Sequence, residues 1–98
     1  MIVGTVRIEL HIPGSTSLKA KRSVLNRIKE RLKSRFNASV AEVDHQDLWQ
    51  RAALGVAIVG VEKRVLDSML SRIISVVETE TRVEIIGLYT RFHRLTEG

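Results

Sequence analysis

Cysteine is absent from this sequence. Disulfides, thiolate chemistry and cysteine-based zinc sites are excluded together, and the chain fits a reducing cytosol. No apolar run approaches the roughly 18 residues that a membrane-spanning helix requires, so no membrane partner is expected. The opening MIVGTVRIEL alternates apolar and polar residues and lacks the basic leader and solid apolar block of a secretory signal. The expected location is cytoplasmic. Aromatic residues are scarce at 4%, with a single tryptophan. Repeats, linkers and low-complexity tracts are missing as well, and 98 residues suffice for one domain with one core.

What the chain does have is positive charge. Its net charge is +5 and its pI about 10.2, with eleven arginines against five lysines. Such a balance suits nucleic acid or another polyphosphate. Arginine's planar fork matches phosphate, although arginine richness also fits the ion-pair habits of thermophile proteins. Clustering is the stronger signal. Residues 18–35, LKAKRSVLNRIKERLKSR, hold eight of the sixteen cations and one acid, Glu30. Leu18, Val24, Leu25, Ile28, Leu32 and then Phe36 recur at helical spacing, which predicts a core-facing stripe. Lys21 falls inside that stripe, between Leu18 and Leu25. The first turn therefore places Lys19, Lys21 and Arg22 at the positive end of a helix dipole, where cations are unfavourable.

The remaining elements follow from periodicity. Residues 2–12 alternate strictly, with Ile2, Val6, Ile8, Leu10 and Ile12 on one face and Val3, Thr5, Arg7, Glu9 and His11 on the other. Pro13–Ser17 is a loop in which Ser17 or Ser15 serves as the helix N-cap. Residues 37–44 read as a short strand, residues 44–47 as a polar turn and residues 50–61 as a third strand. Residues 62–78 form a second helix. Residues 82–93 form a last strand, with a bulge or twist expected near Gly87, where the alternation blurs. The residues after His93 read as a frayed tail.

This order, β-α-β-β-α-β, predicts an α+β, ferredoxin-like domain over residues 1–98. Its four-stranded antiparallel sheet would have order 4-1-3-2, with both helices on one face. The topology brings Pro13–Arg22 beside Asp44–Gln50. Two readings of the cations there compete. In one, Glu42, Asp44 or Asp47 neutralises them. In the other, Lys19, Lys21 and Arg22 grip a phosphate at the helix start, with Ser15, Thr16 and Ser17 as loop donors. Arg27, Lys29, Arg31 and Lys33 would extend that contact along the helix. The turn Asp44-His45-Gln46-Asp47, with His11 at the same end, offers only a weak pattern for a metal or a general base, and neither metal nor other cofactor is expected. Trp49 is expected to pack at the sheet edge. The open sheet face shows no aromatic on its central strands, which argues against base stacking there. Its small residues Ala53, Gly55 and Ala57 suit docking, and a homodimer through this face is one candidate assembly.

An enzyme of acylphosphatase-like topology is the catalytic alternative. The loop Pro13–Ser17 lacks the glycine-rich form ending in an arginine, and residues 51–61 offer no asparagine to orient a water. The stretches Ser17-Leu18-Lys19-x-Lys21-Arg22, Arg35-Phe36-Asn37, Ala41-Glu42-x-Asp44 and Asp47-Leu48-Trp49-Gln50-Arg51-Ala52 resemble the YlxP-like bacterial family of unknown function over nearly the whole chain. The resemblance implies a ferredoxin-like fold in a cytoplasmic bacterial protein, from a family whose genes are often found beside those for translation initiation and ribosome maturation. It implies no activity and transfers no catalytic residue. The expectation is a non-catalytic accessory protein that binds RNA or the ribosome through its basic helix.

Overall fold

Strict alternation in the first strand shapes the sheet. In the computed structural model, which describes residues 1–96, every even residue of β1 (Ile2–His11) is buried and every odd one is half-exposed. The elements that follow are α1 (Leu18–Arg35), β2 (Ser39–Asp44), β3 (Arg51–Gly60), α2 (Lys63–Glu78) and β4 (Glu84–Arg94). The strands form one antiparallel sheet of order β2-β3-β1-β4, the expected 4-1-3-2 read from the other edge. Both helices cover the same face. Val24, Leu25, Ile28 and Leu32 of α1 and Leu66, Leu70, Ile73 and Val77 of α2 join the even residues of β1 and β3 in one core. Cutting any of these large aliphatics to alanine would cost about 2–5 kcal/mol.

Helix α1 starts at residue 18 because the side chain of Ser17 accepts the backbone N–H of Ala20 at 3.0 Å. The basic residues of its last turn, Lys33 and Arg35, complement the dipole. Two bulges shape the sheet edges. Opposite Glu9 and Leu10 the partners are Gly87 and Ile85, so Ile86 is the extra residue that the blurred alternation anticipated. In β2 the partners of Leu54 and Ala53 are Glu42 and Asp44, which leaves Val43 as the second extra residue.

Two expectations need correction. The chain after His93 is not frayed: Arg94 completes β4 opposite Ile2, and the backbone N–H of Leu95 donates to the carbonyl of Met1 at 2.9 Å. The last two residues lie outside the described ones. Trp49 does not pack away at the sheet edge. The turn between β2 and β3 carries it past the end of the sheet, and it stays 54% exposed beside Leu48.

Candidate functional site

The loop before α1 is held from several sides. Its backbone turns back at Ser15, whose N–H donates to the carbonyl of Ile12, and the Gln50 side-chain amide donates to the carbonyls of Pro13 and Ser15. The Ser15 hydroxyl is buried and donates to the carbonyl of Ser17 at 3.1 Å, while Ser17 caps the helix. Of the three expected loop donors, therefore, Ser15 has its O–H used within the protein, Ser17 accepts in the cap with its own O–H uncommitted, and Thr16 is exposed.

Lys21 requires the larger correction. It is not a surface cation: it is 1% exposed, because the apolar stripe of α1 carries it under the β2–β3 turn. Its ammonium donates to the backbone carbonyls of His45 at 2.8 Å and of Gln46 and Arg51, both at 3.3 Å. It also stands 3.0 Å from Glu42 Oε2, which has no hydrogen bond of its own. Glu42 reaches this position because it lies on the helix side of β2, opposite Leu54. Lys21 thus ties the start of α1 to a turn whose His45 adopts a left-handed φ of 64°. Neutralisation by Glu42 holds for this one cation.

The other cations of α1 are placed differently. Lys19, Arg22, Arg27, Lys33 and Arg35 are exposed, and Lys29 and Arg31 are half-buried. Among the described residues, none of these seven makes an ion pair within 4.0 Å; the helix's single ion pair is that of Lys21. Arg27 lies close enough to help lower the Glu80 carboxyl pKa, where the main cause is the hydrogen bond from Arg82. On the helical wheel Lys19, Arg22, Lys29 and Lys33 form one band, and Arg27 and Arg31 a second. A concavity of about 460 Å³ opens beside the loop, between Pro13–Ser15, Ser23 and Arg82, but neither Lys19 nor Arg22 lines it.

The opposite, open face of the sheet carries an arrangement that single-sequence reading missed. Arg7 Nη2 reaches Glu9 Oε1 at 2.7 Å and Asp44 Oδ2 at 3.0 Å. Glu9 Oε2 also meets His45 Nε2 at 3.2 Å and, at 3.7 Å, Arg51. Burial pushes the Glu9 carboxyl up, but the Arg7 hydrogen bond and the nearby charges of Arg7 and His45 outweigh it and hold it below the usual range. The Arg7 side chain, followed by the His45 backbone N–H, holds Asp44 low in the same way. The two histidines at this end meet different carboxylates, since His11 Nδ1 lies 3.3 Å from Glu84. Arg7 and Glu9, two residues apart on an outward-facing strand, were the legible half of this network. Asp44 and His45 join it only through the turn.

Beside the network a trough of about 570 Å³ runs over Thr5, Gly55 and Ala57, between Ala41 on β2 and Tyr89 and Arg91 on β4. Two glycines in its surroundings lie close beneath neighbouring side chains. A Cβ at Gly55 would stand 2.8 Å from a Val43 methyl group, and one at Gly87 would stand 3.2 Å from the Tyr89 ring. Tyr89 is the open-face aromatic that the central strands lack, and it sits on an edge strand, 61% exposed.

A family model described as "Protein of unknown function (DUF503)" matches residues 3–90. The chain is 34% identical over 83 residues to "Uncharacterized protein YlxP" of Bacillus subtilis (strain 168), covering 85% of this chain and 90% of that protein. Two designed proteins share the fold at 18% identity. Foldit4 has a TM-score of 0.55 over 97% of this chain and 98% of its own, and Ferredog-Diesel has 0.52 over 94% and 84%. No helix among the described residues is long and apolar enough to cross a membrane.

Proposed function

We propose that this chain, which belongs to the DUF503 family, is a non-catalytic accessory protein that binds RNA, the ribosome's included, through the outer surface of α1. The observation that carries the reading is the pairing pattern. Seven cations on one helix lack an acidic partner among the described residues, while the one α1 cation that has such a partner is buried. Unpaired charge of one sign on a rigid rod is what phosphate backbones neutralise, with release of their counterions. Thr16 and the helix start add donors at one end. Lys21 and Ser15 leave the contact set, because their donors are used inside the protein; Ser17 accepts in the cap and keeps its O–H to donate. The remaining set is Thr16, Ser17, Lys19, Arg22, Arg27, Lys29, Arg31 and Lys33.

The test is fluorescence anisotropy with a structured ribosomal RNA fragment, titrated across salt concentrations. Four to six phosphate contacts would give log K falling with log salt at a slope of roughly −3 to −5. Arg22→Glu/Lys33→Glu and Arg27→Glu/Arg31→Glu should each weaken binding and flatten the slope by about 2. Absence of binding at low salt, or binding indifferent to both reversals, would overturn the proposal.

A further inference from the structure

Trp49 is the single tryptophan of the chain, and the fold holds it out in solvent beside Leu48. An indole gains much from burial, so its exposure is unfavourable for the isolated protein. The turn beneath it is nonetheless firmly held. The ammonium of Lys21 holds the carbonyls of His45, Gln46 and Arg51. The backbone N–H of Leu48 donates to the His45 carbonyl at 3.0 Å. The Gln50 carbonyl accepts the N–H of Ile12 at 2.9 Å, and its side-chain amide donates to Pro13 and Ser15. Trp49 therefore lies one residue from a direct contact with the loop before α1. A buried ammonium and a left-handed His45 are unfavourable elements, and together they fix the turn that presents Leu48 and Trp49.

From this placement we infer that Trp49 stacks one unpaired base of an RNA whose backbone lies along α1. The partner is then a duplex that continues into a single strand. The inference rests on the reading of α1 as the RNA surface, and it names the class of RNA. Helix α1 bears no aromatic residue, so it meets phosphates and offers no platform for a base. The other aromatics are placed elsewhere. Phe36 packs against the core under Arg72, and Phe92 does so under Lys63, with the cations 5.5 and 5.1 Å from the ring centres. Tyr89 lies on the open face of the sheet, beside Arg7. Trp49 alone is exposed and tied to the start of the basic helix.

Charge separates the two parts of the site. Asp47 is exposed on the same turn and makes no ion pair among the described residues, so the turn disfavours phosphate. A base is uncharged, and its π-face stacks on an indole whatever its sequence. The free cations of α1 take the backbone. Two apolar side chains between Asp47 and Gln50 are too few for the apolar centre of a protein interface, which draws on about 20–30 residues a side. They suffice for one base.

Trp49 serves as its own probe, because no other tryptophan contributes to the fluorescence. Two RNAs are compared, one duplex with single-stranded adenosine tails and the same duplex with abasic tails of equal length. Both carry the same phosphates. Anisotropy of the labelled RNA reads affinity, intrinsic fluorescence reads stacking, and circular dichroism checks that Trp49→Ala and Trp49→Phe are folded. The adenosine-tailed duplex should bind about 5–150-fold tighter than the abasic one and quench Trp49, while the salt slopes match. Trp49→Ala should bring the two RNAs within about twofold of each other and keep the slope within about 0.5 of the wild type. Trp49→Phe should retain part of the preference. Equal binding of both RNAs without quenching would overturn the inference, leave the α1 reading in place and assign Trp49 to a protein partner. A preference for adenosine that survives in Trp49→Ala would overturn it too, by placing the stacking elsewhere. An equal loss for both RNAs in that variant would show that Trp49 acts on something other than the base. Failure of both RNAs to bind at low salt would overturn the inference together with the α1 reading.

Discussion

The two faces of this molecule both carry arginine, and they treat it in opposite ways. On the open sheet, Arg7 pairs with Glu9 and Asp44 and Arg51 with Glu9, which leaves Arg91 at the β4 edge as the face's one arginine without a carboxylate among the described residues. On α1, seven cations stand without an acid within ion-pairing distance among the described residues. A net charge of +5 says nothing of this difference. The lesson is that the function of a basic protein is read from where its charges are left unpaired. Lys21 sharpens the point, because it belongs to the basic helix by position and to the paired class by its surroundings.

The largest effect is expected at Lys21. Lys21→Met removes the ammonium from Glu42 and from three backbone carbonyls, and breaking a buried pair in this way costs about 3–5 kcal/mol. Urea denaturation would measure it. Adding Glu42→Leu should recover part of the loss but not all, because the carbonyls of His45, Gln46 and Arg51 still lack their donor. If Lys21→Met left stability unchanged, Lys21 would belong with the free cations after all.

A smaller effect is expected at the centre of the paired face. Glu9→Gln strips Arg7, Arg51 and His45 of their common carboxylate and should cost about 1–2 kcal/mol. RNA affinity should stay within about twofold of the wild type, because no α1 contact changes. A large change in affinity would mean that the sheet face touches RNA.

Smaller still is the response to acid. Glu9, Asp44 and Glu80 are each held below their ordinary values in the folded protein, by Arg7 and His45 in the first two cases and by Arg82 in the third. Their ionised forms therefore contribute stability that is complete above the usual carboxylate range. It is lost as pH falls through their depressed folded values. Stability should hold from neutral pH down to about 5 and decline below about 4. In Glu9→Gln the decline should be shallower, by one group's share. A profile flat to pH 2 would show that these pairs do not survive in solution.

Much of the fold was legible because alternation and helical spacing are local. The strand order, both helices and the bulge at Ile86 followed from them. The odd placement of Lys21 was legible too, since a cation in an apolar stripe stands out. Its partners were not, because three of them are backbone carbonyls some 24 to 30 residues away and present no side-chain signal. Ser15 was named as a ligand donor for the same reason: spacing places a hydroxyl near a helix start without showing that the loop already uses it. Trp49 was misplaced because the position of a turn relative to the sheet end depends on the neighbouring bulge at Val43. The close approach of Val43 to Gly55 required the register, which no strand carries alone.

The central claim is that unpaired charge on α1, and not total charge, binds RNA. One matched experiment tests it most directly. Binding to the same RNA fragment would be titrated across salt for the wild type, for Arg22→Glu/Lys33→Glu on α1 and for Lys63→Glu/Arg64→Glu at the start of α2. Both pairs change the net charge by the same amount, and acids at a helix start are favourable. The account predicts that the α1 reversal weakens binding and flattens the slope by about 2, while the α2 reversal leaves the slope within about 0.5 of the wild type. Equal losses in the two variants would contradict it, for the protein would then be binding through its overall charge.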